Sequence, residues 1–264
     1  MPERIANIKN ILVIASGKGG VGKTTVSVNL ALSLAERGAR VGLFDADIYG
    51  PNVPLMLGIH RKKSARGLMP VARAERDPYI QPLERYGIKV MSIGLLVGEE
   101  DAILPDSNFA GRIATQTLCD VAWGELDYLL LDLPPGSGEP LLSLVQRVTL
   151  DGVVIVTTPQ DLSLLDAGRS LDMFRRYAIP ILGVIENMSY ATCPHCGERI
   201  EIFAHSERRW LVQDKEIALL GRIPMDINIS RGIDGGHPLV QAAPSSAEAA
   251  VFRDITAQIA QKTG

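Results

Sequence analysis

The sequence predicts an α/β fold, a doubly wound and mostly parallel sheet with helices on both faces. Short apolar runs recur along the 264 residues, and they read as continuous hydrophobic segments rather than in-out alternation. Strands covered on both faces have this pattern. Longer amphipathic stretches separate them, and strands alternating with helices build parallel sheets.

In chain order, "ILVIA" (11–15) is the first expected strand, and the glycine-rich "SGKGGVGKTT" (16–25) joins it to a helix over 24–37 closed by Gly38. "VGLF" (41–44) and "KVMSI" (89–93) are the next strands. Between them, 49–87 is rich in proline and basic residues and reads as an insertion or mobile excursion. A helix over 110–122 precedes the strand "YLLLD" (128–132), and a helix over 139–148 precedes "VVIVTT" (153–158). The pattern continues with a helix over 163–177, the strands "ILGVIE" (181–186) and "LLGRIP" (219–224), and a last helix over 246–262. One domain, 1–264, is the simplest division, with 187–215 a small appended element that carries "CPHC".

Composition narrows the function. The net charge of −3 gives no electrostatic case for nucleic acid as a partner. The basic run "HRKKSAR" (60–66) reads as a solvated loop. No stretch approaches the roughly 18 apolar residues of a membrane span, and "MPERIANIKN" is too charged for a signal peptide. The tail places Val251, Ile255 and Ile259 on one helical stripe with few cations, which suits packing on the sheet rather than on a membrane. With only 3 cysteines a disulfide framework is not expected, so a cytoplasmic location is.

The loop 16–25 satisfies GxxxxGK[ST] between a strand and a helix, the context a phosphate loop requires. Gly17, Lys18, Gly19, Gly20, Val21, Gly22, Lys23, Thr24 and Thr25 would surround the phosphates, their backbone N–H groups turned inward at a helix N-terminus. Lys23 would reach the β- and γ-phosphates, and the Thr24 hydroxyl would bind Mg²⁺. Lys18 falls too early in the loop to duplicate Lys23 and can point outward, to a phosphate held by a second subunit. Asp45 and Asp47 follow the second strand, and Asp132 ends the central one, where open α/β sheets build their sites. Asp47 is expected to orient the attacking water, with Asp45 and Asp132 supporting the magnesium ion. Cys119 lies in an apolar helical pattern and reads as a buried small hydrophobe. Cys193 and Cys196 stand at CxxC spacing, with His195 between them at an exposed loop tip. Two thiolates are half the ligands of a tetrahedral zinc or of an iron–sulfur cluster, and residue chemistry alone does not choose between them.

"KGGVGKTT", "DADIYGPN", "DLPPGSGE", "TTPQDLSLLDAGR", "ENMSY" and "CPHCGE" occur in that order. The set resembles the deviant Walker A ATPases, the class of MinD, ParA and the nitrogenase iron protein, and within it the Mrp/ApbC-type iron–sulfur cluster carriers. The resemblance runs through most of residues 8–240. It implies an ATP-hydrolysing homodimer that holds a labile [4Fe–4S] cluster and passes it to apoproteins. Lys18 would be the signature lysine acting across the dimer, and Asn187 would contact adenine. Cys193 and Cys196 from each subunit would then supply the four thiolates. The segments 104–112 and 202–212 depart from the family pattern, and the small N-terminal domain of many relatives is not expected. A MinD/ParA-like spatial organiser and an ATPase with a structural zinc at its dimer interface are the alternative functions.

Overall fold

The computed structural model describes residues 2–48, 50–59, 80–96, 107–136, 139–193, 195–203 and 217–264. β1 (Ile8–Ala15) leads into α1 (Lys23–Glu36), β2 (Val41–Asp45) and a short α2 (Val53–Met56). The hairpin of β3 (Leu83–Arg85) and β4 (Ile88–Ser92) precedes α3 (Ser107–Asp120), β5 (Leu126–Asp132) and α4 (Glu139–Arg147). β6 (Gly152–Thr157), α5 (Asp161–Arg176) and β7 (Ile181–Glu186) continue the alternation. Among the described residues β8 (Ala191–Thr192) and β9 (Arg199–Ile200) pair only with each other. β10 (Leu219–Arg222), α6 (Ile227–Asp234), α7 (Leu239–Ala242) and α8 (Ala247–Thr263) complete the chain.

The main sheet has the order β10-β7-β6-β1-β5-β2-β4-β3, parallel throughout except for β3 against β4. Side chains explain why its strands read as unbroken apolar runs. Along β1, Leu12 and Ile14 enter one core while Ile11 and Val13 enter the other. Leu130 of β5 likewise faces away from Leu129 and Leu131. The first core is closed by Val26 and Leu30 of α1 and by Phe252, Ile255 and Ile259 of α8. The second is closed by Leu118 of α3, Leu144 of α4 and Leu171 and Phe174 of α5. β1 thus lies between β5 and β6, with α1 and α4 leaving on opposite faces. This topology opens a crevice at the carboxyl ends of the strands, where doubly wound sheets bind ligands.

The expected strands and long helices all appear, their ends shifted by a few residues. The elements not expected are short ones: α2, α6, α7, the edge strand β3 and β8. The stretch expected as an insertion carries α2 near its start and β3 near its end, while 60–79, with the basic run 60–66, lies outside the described residues. Cys119 requires a correction. It is exposed, because Ala114, Thr115 and Leu118 form the inward face of α3 and the next residue is turned out of it. His195 is exposed at its loop tip, as expected. Among the described residues no helix is long and apolar enough to cross a membrane.

The expected packing of the last helix is present. Phe252, Ile255 and Ile259 are fully buried, and Thr256 Oγ1 lies 3.1 Å from Ser33 Oγ on α1. Phe252→Ala should lower the unfolding free energy by about 3–5 kcal/mol, the range for truncating a buried aromatic. Urea denaturation of the full chain measures this, and a loss under about 1 kcal/mol, typical of a surface site, would place α8 away from the core.

Candidate functional site

The segment after β1 folds tightly because two glycines leave no room for side chains. At Gly17, a Cβ would lie 2.2 Å from the backbone carbon of Asp166, so the loop rests directly on α5. At Gly22, which has φ of 80°, a Cβ would lie 2.3 Å from Asn187 Nδ2. Gly22 is also the N-cap of α1 and offers no capping side chain, so the first N–H groups of the helix are available to an anion. Gly20 shares the left-handed conformation with φ of 81°. The loop walls a cleft of about 230 Å³ lined by Ser16, Lys18 to Thr25, Asp47, Asn52, Met56 and Pro135.

Beneath the loop, Asp132 at the end of β5 is fully buried and gathers three side chains of α1. Lys23 Nζ donates to its Oδ1 at 2.7 Å, Thr24 Oγ1 donates to Oδ2 at 2.8 Å, and Ser27 Oγ lies 2.6 Å from Oδ1. Parallel pairing sets Asp45 of β2 beside Asp132. Asp45 is fully buried as well and accepts from the backbone N–H of Asp47 at 3.1 Å, that of Val53 at 3.2 Å and the Ser92 hydroxyl at 3.0 Å. It therefore holds the loop 45–53 from below, and Asp47 on that loop reaches the cleft wall, where its Oδ1 accepts from Gly50 N at 3.1 Å. Burial, and after it the Asp132 carboxylate, push Asp45 up to about 7.

Lys18 Nζ donates to Gln160 Oε1 at the N-terminus of α5 across 3.3 Å. Asn187, directly after β7, is buried and donates from Nδ2 to Val21 O at 2.8 Å. It stands between the phosphate cleft and a second cleft of about 280 Å³ lined by Gly22, Thr25, Met188, Pro224, Met225, Asp226 and the inner side of α6. The sequence reading located Lys23, Thr24, Asp132 and Asn187 but not Ser27, Ser92 or Gln160. Ser27 carried a signal, since it falls one helical turn beyond Lys23 on a face otherwise apolar. Ser92 and Gln160 act through strand register and helix placement, and residue spacing does not reveal either.

The cysteines lie in a tight knuckle. β8 and β9 pair Ala191 with Ile200 and Thr192 with Arg199, Cys193 N donates to Glu198 O at 2.8 Å, and Gly197 N donates to Cys193 O at 2.9 Å. The Cys193 thiol is held below its ordinary value by the backbone N–H groups of Cys196 and His195 and by the Cys196 side chain. Cys193 is half-buried and Cys196 exposed, and their side chains interact. Among the described residues no group of three or more potential metal ligands forms. A tetrahedral four-ligand site therefore cannot be completed from the described residues of one chain.

Asp45 gives a signed pH dependence. Its value in the fold, about 7, exceeds the ordinary 3.8, so between these the folded chain keeps a proton that the unfolded chain has released. Its contribution to stability therefore falls as pH rises through that window and is level above it. Asp45→Asn should remove this slope, so the wild-type minus variant difference in unfolding free energy declines from about pH 4 to 7. A difference that is flat with pH would contradict the burial of a titrating carboxyl there.

Comparison with known proteins agrees with this geometry. A family model described as ParA, the NUBPL iron-transfer P-loop NTPase, matches residues 7–260. The chain is 44% identical to an iron-sulfur cluster carrier protein of Deinococcus radiodurans, covering 98% of this chain and 72% of that one. It is 41% identical to the iron-sulfur cluster transfer protein NUBPL of Dictyostelium discoideum, covering 97% and 77%. Among solved structures, a nucleotide-binding protein of Archaeoglobus fulgidus in complex with ADP is 36% identical, covers 88% of each chain and superposes with a TM-score of 0.72. The cell-division ATPase MinD of Pyrococcus furiosus is 25% identical over 96% of this chain and 99% of its own, with a TM-score of 0.67. The chain belongs to the ParA-type NUBPL iron-transfer P-loop NTPases.

Proposed function

We propose that the chain is an ATP-hydrolysing iron–sulfur cluster carrier that works as a homodimer. It would hold a [4Fe–4S] cluster as cargo between two subunits and pass it to apoproteins. The observation that carries this reading is the knuckle, an interacting pair of thiols on the fold of a P-loop ATPase with no further ligands among the described residues. A two-fold axis beside the knuckle turns two sulfurs into four, and four thiolates are the ligand set of a [4Fe–4S] cluster. The iron–sulfur names of the relatives in Deinococcus and Dictyostelium support the choice of cargo.

The nucleotide side follows from the residues present. Backbone N–H groups of Gly19 to Thr25 would surround the phosphates while Lys23 turns from Asp132 to the β- and γ-oxygens. Asn187 would release Val21 O and offer its amide, both donor and acceptor, to the adenine edge in the second cleft. The Thr24 hydroxyl, backed by the Asp132 and Asp45 carboxylates, is an oxygen donor set suited to a hard cation. Mg²⁺ held there would neutralise charge on the phosphates. Asp47 would accept a hydrogen bond from the attacking water, and Lys18 would leave Gln160 to meet the γ-phosphate of the partner subunit. Basal hydrolysis is then slow, because the lysine arrives only when two chains close.

Transfer from the anaerobically reconstituted protein to an apo-acceptor tests the reading. Cys193→Ser or Cys196→Ser should abolish the visible cluster absorbance and leave ATP binding intact. Lys23→Ala should keep the cluster and lose nucleotide chemistry. Undiminished transfer by both kinds of variant would overturn the carrier function, and bound zinc in place of iron would favour a structural metal.

A further inference from the structure

Among the described residues the knuckle is closed by the pairs 191–200 and 192–199 and by the two backbone bonds between Cys193 and the Gly197–Glu198 turn, and a two-stranded ribbon of that size is marginal in water. The residues just before it are tied firmly to the domain. Ser189 N donates to Ile223 O at 2.9 Å, and Met225 N donates to Tyr190 O at 2.7 Å. From this anchored position the Tyr190 ring lies under the Arg199 guanidinium, whose carbon is 3.6 Å from the ring centroid. Arg199 sits on the far strand of the knuckle, cross-strand from Thr192 and so beside the start of the CxxC. Its other ionic contact is with Glu201, at 3.5 Å. Tyr190 is three residues after Asn187 and three before Cys193 along the chain.

We propose that Tyr190 and Arg199 are positioning residues that fix the direction in which Cys193 and Cys196 present their sulfurs. The proposal rests on the carrier reading. A site shared by two subunits needs each knuckle aimed at its mate, because an error in one half cannot be absorbed by ligands on the same chain. The stack joins the free strand of the knuckle to a residue whose own backbone cannot shift without breaking the bond from Met225. Partners behind metal ligands commonly change metal affinity by about 10–100-fold when removed.

Anaerobic titration of the full chain with cobalt(II), followed by thiolate-to-cobalt absorbance, tests the proposal, with ATP affinity measured in parallel. Tyr190→Ala and Arg199→Ala should each weaken cobalt binding by about tenfold and dull the bands of tetrahedral cobalt while ATP affinity stays unchanged. Tyr190→Phe should retain wild-type cobalt binding, because the ring face makes the contact. Unaltered cobalt binding and spectrum in both alanine variants would overturn the positioning role and leave the carrier reading standing. Parallel loss of ATP and cobalt binding would overturn it too, by making the stack a support of the whole domain. A wild-type chain that binds cobalt no better than Cys193→Ser would instead remove the carrier reading, and this proposal with it.

Discussion

The site is organised by two carboxylates that the sheet forces together. Parallel register sets Asp45 against Asp132 at the ends of β2 and β5, both fully out of water. Neighbouring buried acids are tolerable only when charge and hydrogen bonds answer them, and removing one partner from a buried pair costs about 3–5 kcal/mol. Lys23, Thr24 and Ser27 answer Asp132, which draws the start of α1 down onto β5 and sets the height of the phosphate loop. Asp45 is answered by Ser92 and by the backbone of the loop that carries Asp47. One electrostatic problem thus places both the groups that would face phosphate and the group that would face water.

This arrangement also gives the nucleotide something to compete for. Lys23 is already engaged by a carboxylate and Asn187 by a loop carbonyl, so in the proposed function a phosphate and a base would each exchange an existing bond. Glu186, buried just ahead of Asn187, is bonded by the Ser189 hydroxyl and lies 3.3 Å from Arg222 Nε. These contacts stiffen the turn between β7 and the knuckle, in which Met188 takes a positive φ of 53°. Movement at Asn187 and the aim of the thiols are consequently mechanical neighbours along a few residues of chain.

How much was legible in the sequence depended on how local the signal was. The phosphate loop and the CxxC are contiguous, so their chemistry is written in adjacent residues. The strands were legible because burial on both faces leaves no polar phase to read. The tasks of Asp45 and Ser92 were not, since they arise from the register of β2, β4 and β5 across distant segments. Cys119 was misread because an apolar helical pattern fixes a face only to within about 100° per residue, and one step past Leu118 is enough to leave the core. α6 and α7 were missed as short helices among prolines and glycines, although Asp226 caps α6 by accepting from Asn228 N at 2.7 Å, a signal visible in the sequence.

In the proposed function one chain is half a site. Native mass spectrometry of the anaerobically reconstituted protein weighs chains and cargo together and so tests this without an intermediary. Two chains carrying one four-iron, four-sulfur cluster are expected, with no cluster on a single chain. A single chain that retains its own metal, or a dimer with a separate metal on each subunit, would rule the shared site out.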